Sequence, residues 1–493
     1  MKKNDFSGAR ALVMGLGLHG GGLESAKFLV RRGAFVTVTD LRGEDVLAPS
    51  IKALDDCVRA ENAAPVRYVL GRHEQADFDA ADVALKNPGV RPDSPFLRGV
   101  RRIESDVSLF LNENPARLCA VTGSKGKSFT ASAICFGLEA HHEAQNRGKV
   151  RLGGNIAVSP LTFLDDLTAD DDVVLELSSW QLADLFLTSA ASLFRPRVAV
   201  LTAIMCDHLD RYGTMEAYVA DKRLIYKNQG KDDATIALDG EWGRRFLRET
   251  AGSPFLCGSG GLPEGAAGGW FDGESLRSFA RGPMGSLGAG ETVEIVGDAL
   301  APGGHQKVNL LGAALALLCL GVPPALIKKR LELFPGIEHR LEFFLEEGGV
   351  RYYNDSAATI PEAAAAAVAA LGAPILVCGG ADKRLDFSPL AKAARNAKQV
   401  ILLAGSAGDK LTGLFAASGV PWSGPFETLE AAVEAAVECA RPGDAVVLSP
   451  GCASFGMFLN EFDRGRKWKH LCRRLSGSGN AERLEAGTIA AHE

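Results

Sequence analysis

At 493 residues the chain is much longer than one hydrophobic core requires, and about three domains are expected at about 150 residues each. Its 46% hydrophobic and 23% charged content is ordinary for a soluble globular protein, and a net charge of -6 offers no basic surface for a nucleic-acid backbone. No apolar core follows "MKKNDFSGAR" as a secretion signal would require, and the long uncharged run 363–381 is broken by "LGAP". A cytoplasmic protein with no nucleic-acid partner and no membrane span is therefore expected. The ten cysteines form no C-x-x-C pair and no metal-spaced cluster, so they read as small buried apolar residues in a reducing compartment.

In chain order, the strand "ALVMG", a glycine turn, the amphipathic helix "LESAKFLVRRG" and the strand "FVTVTD" form a βαβ unit. Further strands are predicted at "VRYVLG" and "DVALKN". At "RLCAVTG" the pattern restarts with a strand, a glycine turn and a helix, which puts a domain boundary near residue 113. Buried strands follow at "DVVLELS" and "VAVLTAI", each ending in polar residues, where parallel sheets face their ligands. The Gly-, Ser- and Pro-rich stretch 252–290 reads as a surface excursion rather than core. A third strand–helix series runs through "VRYYNDS", "PILVCGG", "QVILLAGS" and "DAVVLSPG", and residues 476–493 read as a mobile tail. The fold class expected is α/β in three domains: a Rossmann-like first, a P-loop-type ATPase second and a Rossmann-like third.

Two glycine loops carry chemistry. Gly15-x-Gly17-x-x-Gly20 follows a strand and opens a helix, and Asp40 ends the next strand at dinucleotide-fingerprint spacing. Alone, this loop fits NAD and an oxidoreductase, another diphosphate, or a purely structural turn. The second loop, "TGSKGKS" from Thr122 to Ser128, is shorter than a standard P-loop but keeps its parts in order. Lys127 reaches β- and γ-phosphates, Ser128 suits magnesium, and the helix N-terminus adds positive dipole. Glu176 lies inside the apolar run "VVLELSSW", where a bound magnesium would offset the cost of a buried carboxylate. Asp207, His208 and Asp210 in "CDHLDRY" follow the next strand and face the same crevice.

The motifs "TGSKGKS", "GGNIAVSPL", "LELSSWQL", "DHLDRYGTMEAYVADKRLIY", "EHRLE", "YYNDSAAT", "GGADKRLDFSPL" and "LSPGCASFGMFLNEFDRG" follow one another from Thr122 to Gly465, within a likeness that spans about Ala11 to Leu475. Together they resemble the ATP-dependent Mur ligases, most of all the branch that adds glutamate to UDP-N-acetylmuramoyl-L-alanine. The resemblance implies a UDP-substrate domain at 1–112, an ATP-binding domain at 113–337 and an amino-acid-binding domain at 338–475. It implies a monomer that ligates D-glutamate through an acyl phosphate and a tetrahedral intermediate. Another ligase of the superfamily, using L-glutamate or a different amino acid, is the alternative.

By the same likeness, ATP would meet Gly123, Ser124, Lys125, Gly126, Lys127, Ser128, Asn309, Arg340 and Asp355. The UDP substrate would meet Leu18, His19, Asp40, Leu41, Arg42, Asn87, Gly89 and Asn155, and glutamate would meet Thr359, Lys383 and Ser454. Two magnesium ions would be held by Ser128, Glu176 and His208, supported by Lys222 if carbamylated, and Lys127, His208 and Lys222 would be the catalytic group. Three positions depart from the family pattern. Ala357 stands where lysine is common, Gln306 where asparagine is common, and Glu461 where a phenylalanine is usual, with Phe462 one step later.

Overall fold

The computed structural model describes residues 6–18, 20–156, 158–271, 278–283, 287–288, 290–297 and 304–477. His19 and the expected tail beyond Gly477 lie outside the described residues. The chain divides into two compact units: Met1–Asp298 with Val308–Glu332, and Ala299–Lys307 with Leu333–Glu493.

The first unit holds two sheets. Strands β1 (Arg10–Met14), β2 (Phe35–Asp40), β3 (Arg67–Leu70), β4 (Val83–Lys86) and β5 (Ile103–Glu104) form a parallel sheet in the order β3-β2-β1-β4-β5. Ala11–Met14 of β1 are all buried, as the apolar run predicts. Helices α1 (Gly21–Arg31), α2 (Glu44–Ala60) and α3 (Gln75–Ala80) connect these strands, and α4 (Asp106–Glu113) leads out of the sheet. The first turn of α1 comes so close to the glycine loop that a Cβ on Gly22 would lie 2.0 Å from the Gly15 carbonyl oxygen. The close helix–strand approach thus rests on Gly22, which lies outside the fingerprint spacing.

The second sheet contains β6 (Arg117–Thr122), β7 (Val150–Gly154), β8 (Asp172–Glu176), β9 (Val198–Leu201), β10 (Ala234–Leu238), β11 (Ser253–Gly258), β12 (Gly268–Phe271), β13 (Ser278–Arg281) and β14 (Thr292–Val296). Their order is β14-β13-β12-β11-β10-β9-β6-β8-β7, parallel from β7 to β12 and antiparallel at β13 and β14. The expected excursion at 252–290 is therefore corrected. It contributes three strands, and Phe255, Leu256, Cys257 and Ala280 are core residues. Short strands made from Gly, Ser and Pro give little alternation, but pairing of β11 on β10, β12 on β11 and β13 on β12 carries them into the sheet.

Helices of this region include α5 (Lys127–Gln145), α6 (Ser179–Phe186), α7 (Leu209–Tyr212) and α8 (Met215–Lys222). Ser178 and Gln181 form a capping box that starts α6 just after Glu176. The Thr214 hydroxyl accepts the Ala217 N–H and starts α8, whose last residue is Lys222. The two parts of the unit are joined by a buried ion pair, Lys86 Nζ to Asp184 Oδ2 at 2.6 Å.

The second unit contains β15 (Glu342–Glu347), β16 (Val350–Asn354), β17 (Ile375–Gly379), β18 (Gln399–Leu403), β19 (Trp422–Phe426) and β20 (Ala445–Leu448), in the order β15-β16-β20-β17-β18-β19. Only β15 is antiparallel. Two cores cover its faces, one around Phe387, Leu390 and Phe415, the other around Tyr352, Val446 and Trp468. Among the described residues, no helix is long and apolar enough to cross a membrane.

Candidate active site

The turn between β6 and α5 is built by two glycines that no other residue replaces without strain. Gly123 has φ +148°, and a Cβ there would lie 1.9 Å from Thr202 Oγ1. Gly126 is left-handed at φ +91°, and its Cβ would lie 2.4 Å from Asn309 Oδ1. Asn309, on the helix Gly304–Cys319, therefore backs the loop. Ser124 Oγ anchors the loop by accepting the Met205 N–H at 3.0 Å, and it lies 3.0 Å from the Tyr218 hydroxyl. Lys127 curls back over the loop, donating to the Gly123 and Ser124 carbonyls at 3.0 and 3.1 Å. Ser128 sits half-buried in the first turn of α5, whose free N–H groups and dipole favour an anion.

Lys222 reaches the same loop from α8. Its Nζ donates to the Gly123 carbonyl at 2.8 Å, lies 4.5 Å from the Tyr218 ring centroid, and belongs to a side chain only 1% exposed. Burial, reinforced by the nearby Lys127 ammonium, pushes the Lys222 amine down from 10.5 to about 7. Asp207, Asp221 and Glu176 oppose this shift without cancelling it.

Glu176 ends β8 beside the loop and is 1% exposed. Its Oε1 accepts from Asn155 Nδ2 at 2.9 Å, while Oε2 is buried without a hydrogen-bond partner among the described residues. An orphaned carboxylate oxygen at this depth is costly unless a cation faces it. Together with the Ser128 hydroxyl it supplies hard oxygen donors, a set that fits magnesium. His208 is left-handed at φ +53°, half-exposed at the start of α7, with its ring 5.0 Å from Trp180 and 6.1 Å from Tyr218. Lys125 is exposed, with Nζ 3.7 Å from Asp207 Oδ2. Cys206 is exposed beside Asp207, a correction to its expected burial: the strand β9 has already ended at Leu201.

The first glycine loop opens a separate cavity of about 330 Å³ lined by Gly15, Gly17, Asp40, Leu41, Arg42, His73, Asn87, Gly89 and Val90. The Asp40 carboxylate is already engaged, accepting the Gly17 N–H at 3.2 Å and the Arg42 N–H at 3.0 Å. Asn87 Oδ1 accepts the Gly89 N–H at 3.1 Å and fixes that turn. Leu18 and Leu41 are exposed. Asn155 does not line this cavity; its amide is committed to Glu176.

In the second unit, Thr359, Lys383 and Ser454 lie on three loops after β16, β17 and β20. The loops are stitched together by Gly451 N–H to the Ala358 carbonyl at 2.9 Å and by paired Ala381–Ala453 bonds of 3.0 and 3.1 Å. Ser454, Gly380 and Phe455 line a cavity of about 220 Å³, and Lys383 Nζ stands 5.4 Å from the Phe455 ring centroid. Asp355 holds the Arg340 turn: its Oδ1 accepts the Leu341 N–H at 2.9 Å and its Oδ2 accepts from Ser449 at 2.6 Å. Burial raises this carboxyl to about 7. Arg340 itself is exposed, between His339 and Leu341, both of positive φ. Sequence reasoning missed Arg464, a fully buried guanidinium that donates to the Ser356 hydroxyl and carbonyl and to the Cys452 carbonyl. It fixes two of the three loops. Its own motif, "FLNEFDRG", was legible, but one of its two target loops, at Ser356, lies 108 residues away in sequence.

Residues 121–317 match the Mur ligase middle domain, and residues 339–452 match the Mur ligase glutamate ligase domain. The UDP-N-acetylmuramoylalanine--D-glutamate ligase of Treponema pallidum is 39% identical over 95% of this chain and 98% of its own length. The chain belongs to the Mur ligase family. A second ligase of the same name, from Roseiflexus, is 40% identical over 94% of this chain and 98% of its own length. Among solved structures, the MurF ligase of Thermotoga maritima in complex with ADP has the same fold, with a TM-score of 0.51 at 18% identity over 90% of this chain and 95% of that one. As a Mur ligase, the chain is an ATP-dependent amide-forming enzyme.

Proposed function

We propose that this Mur ligase joins D-glutamate to UDP-N-acetylmuramoyl-L-alanine at the expense of ATP, a step of peptidoglycan precursor synthesis in the cytoplasm. Near-full-length identity of 39–40% to ligases of that name supports the reading. The observation that carries the chemistry is the convergence of Lys127, Lys222 and the orphaned Glu176 oxygen around the Gly123–Ser128 loop. In this reading residues 1–112 hold the uridine nucleotide, 113–337 hold ATP, and 338–475 hold glutamate.

The γ-phosphoryl group of ATP passes to the alanyl carboxylate, giving an acyl phosphate and ADP. The glutamate amine then attacks the acyl carbon, loses a proton, and the tetrahedral intermediate collapses to the amide as phosphate leaves. Lys127 stabilises charge spread over the transferring phosphoryl oxygens, and the N–H groups opening α5 cradle the remainder. Ser128, Glu176 and His208, with Lys222 in support if carbamylated, would hold magnesium, which would supply the charge that lets two anions meet. Asn155 orients Glu176 through its 2.9 Å bond. Lys383 offers a cation and Thr359 and Ser454 offer hydroxyls for the glutamate carboxylates.

The test is phosphate release from ATP with UDP-N-acetylmuramoyl-L-alanine, comparing D-glutamate, L-glutamate and no amino acid, with the product checked by mass. Turnover confined to D-glutamate is expected. Turnover confined to L-glutamate or to another amino acid would overturn the substrate assignment.

A further inference from the structure

His73 lines the first cavity but has no role in any of the motifs. Its surroundings fix both the position and the tautomer of the ring. Thr39 is fully buried in β2, and its hydroxyl lies 3.1 Å from the Arg72 carbonyl and 2.7 Å from His73 Nδ1. A hydroxyl has one hydrogen to give, and a carbonyl only accepts. Both contacts are satisfied when Thr39 donates to the carbonyl and His73 donates its Nδ1–H to Thr39. Nε2 is then the ring's acceptor. Phe96 and Phe78 pack against the imidazole at centroid distances of 5.1 and 6.0 Å, both near perpendicular, and hold it in place. Burial lowers the imidazole below its ordinary value, with Asp40 only partly opposing, so the neutral acceptor form prevails at neutral pH.

The other side-chain acceptors of the cavity each already hold a backbone N–H. Both Asp40 oxygens and Asn87 Oδ1 already take backbone N–H groups that shape the loops. The glycine loop and the N-terminus of α1 suit a diphosphate, which puts the nucleoside at the Asp40–Arg42 and His73 side. We propose that His73 is a specificity residue for the nucleotide end of the substrate, its Nε2 accepting a hydrogen bond from a donor of the uridine. This rests on reading the cavity as the UDP site. A uridine has two such donors, the imide N3–H of the base and the ribose hydroxyls.

The experiment is calorimetric titration of UDP, 3-methyluridine 5′-diphosphate and 2′-deoxy-UDP into wild type, His73→Asn and His73→Gln. Asparagine keeps an amide near the Nδ1 position and lacks Nε2, whereas glutamine places an acceptor near Nε2. His73→Asn is expected to weaken UDP about three- to tenfold, with His73→Gln recovering most of it. In turnover the KM for the UDP substrate rises, while kcat and the KM for ATP stay unchanged. Wild type is expected to discriminate against one analogue by a similar factor, and His73→Asn to lose that discrimination. Loss against the 3-methyl analogue assigns the imide; loss against the deoxy analogue assigns the ribose. UDP binding unchanged in His73→Asn, or undiminished discrimination there, overturns the His73 role alone. Failure of wild type to bind UDP at all overturns the reading of the cavity, and the His73 role with it.

Discussion

Replacing Lys222 by methionine is expected to move stability and activity in opposite directions. The buried amine sits at about 7 in the folded protein, against 10.5 when free. The folded state therefore holds fewer protons than the unfolded state between those values, so stability rises with pH across that window. Below about pH 7 the full cost of the ammonium applies, of the order of 5 kcal/mol from the two values cited. Lys222→Met removes that cost. The variant is expected to melt higher than carbon-dioxide-free wild type at pH 6.5, and the gap is expected to shrink as pH approaches 10.

The same displacement prepares the amine for chemistry. At pH 8 about nine-tenths of the Lys222 amine is neutral, against about 0.3% for an ordinary lysine, a gain of about 300-fold in nucleophile. Attack of the neutral amine on carbon dioxide gives a carbamate and releases one proton, which replaces a neutral buried amine by an anion beside Lys127. Bicarbonate labelled with 13C is expected to give a carbamate signal in wild type at pH 8 and none in Lys222→Met. Phosphate release in the variant is expected to fall about 10- to 100-fold, the usual cost of removing a group that supports a metal ligand set. Equal turnover in both proteins, or a stability gap that does not change with pH, would refute the reasoning.

Gly126→Ala forces a Cβ against the Asn309 amide at a left-handed position, and kcat/KM for ATP is expected to fall about 100-fold in steady-state kinetics. Asp184→Ala strands the buried Lys86 ammonium and is expected to cost about 3–5 kcal/mol in denaturant unfolding, with the Lys86→Met/Asp184→Leu pair recovering most of it. Cys206 is exposed beside Asp207 and His208, so it is expected to be alkylated by N-ethylmaleimide ahead of the buried and half-buried thiols, with magnesium–ATP slowing the reaction in peptide mapping.

What was legible in the sequence is what the backbone alone dictates. Gly123 and Gly126 are demanded by the turn they make, and a strand, that turn and a helix leave the N-terminal dipole little freedom in what it faces. Glu176 was legible for a related reason, because a carboxylate inside "VVLELSSW" is buried in any fold that makes the run a central strand. Lys222 is different. On a helix with polar neighbours nothing local marks it as buried, and its altered chemistry arises only when α8 brings it onto the Gly123 carbonyl, 99 residues away. His73 was missed for the same reason, since the hydroxyl that fixes its tautomer lies 34 residues distant on β2. The strands β11 to β13 were missed because their small residues take their burial from β10 and the helix packed over them, and a pattern of alternation has little to act on in "SPFLCG" or "GGWF". A residue's type predicts its chemistry where the chain's own turn sets the environment; where distant elements set it, a lysine that reads as solvated becomes a half-neutral amine at pH 7.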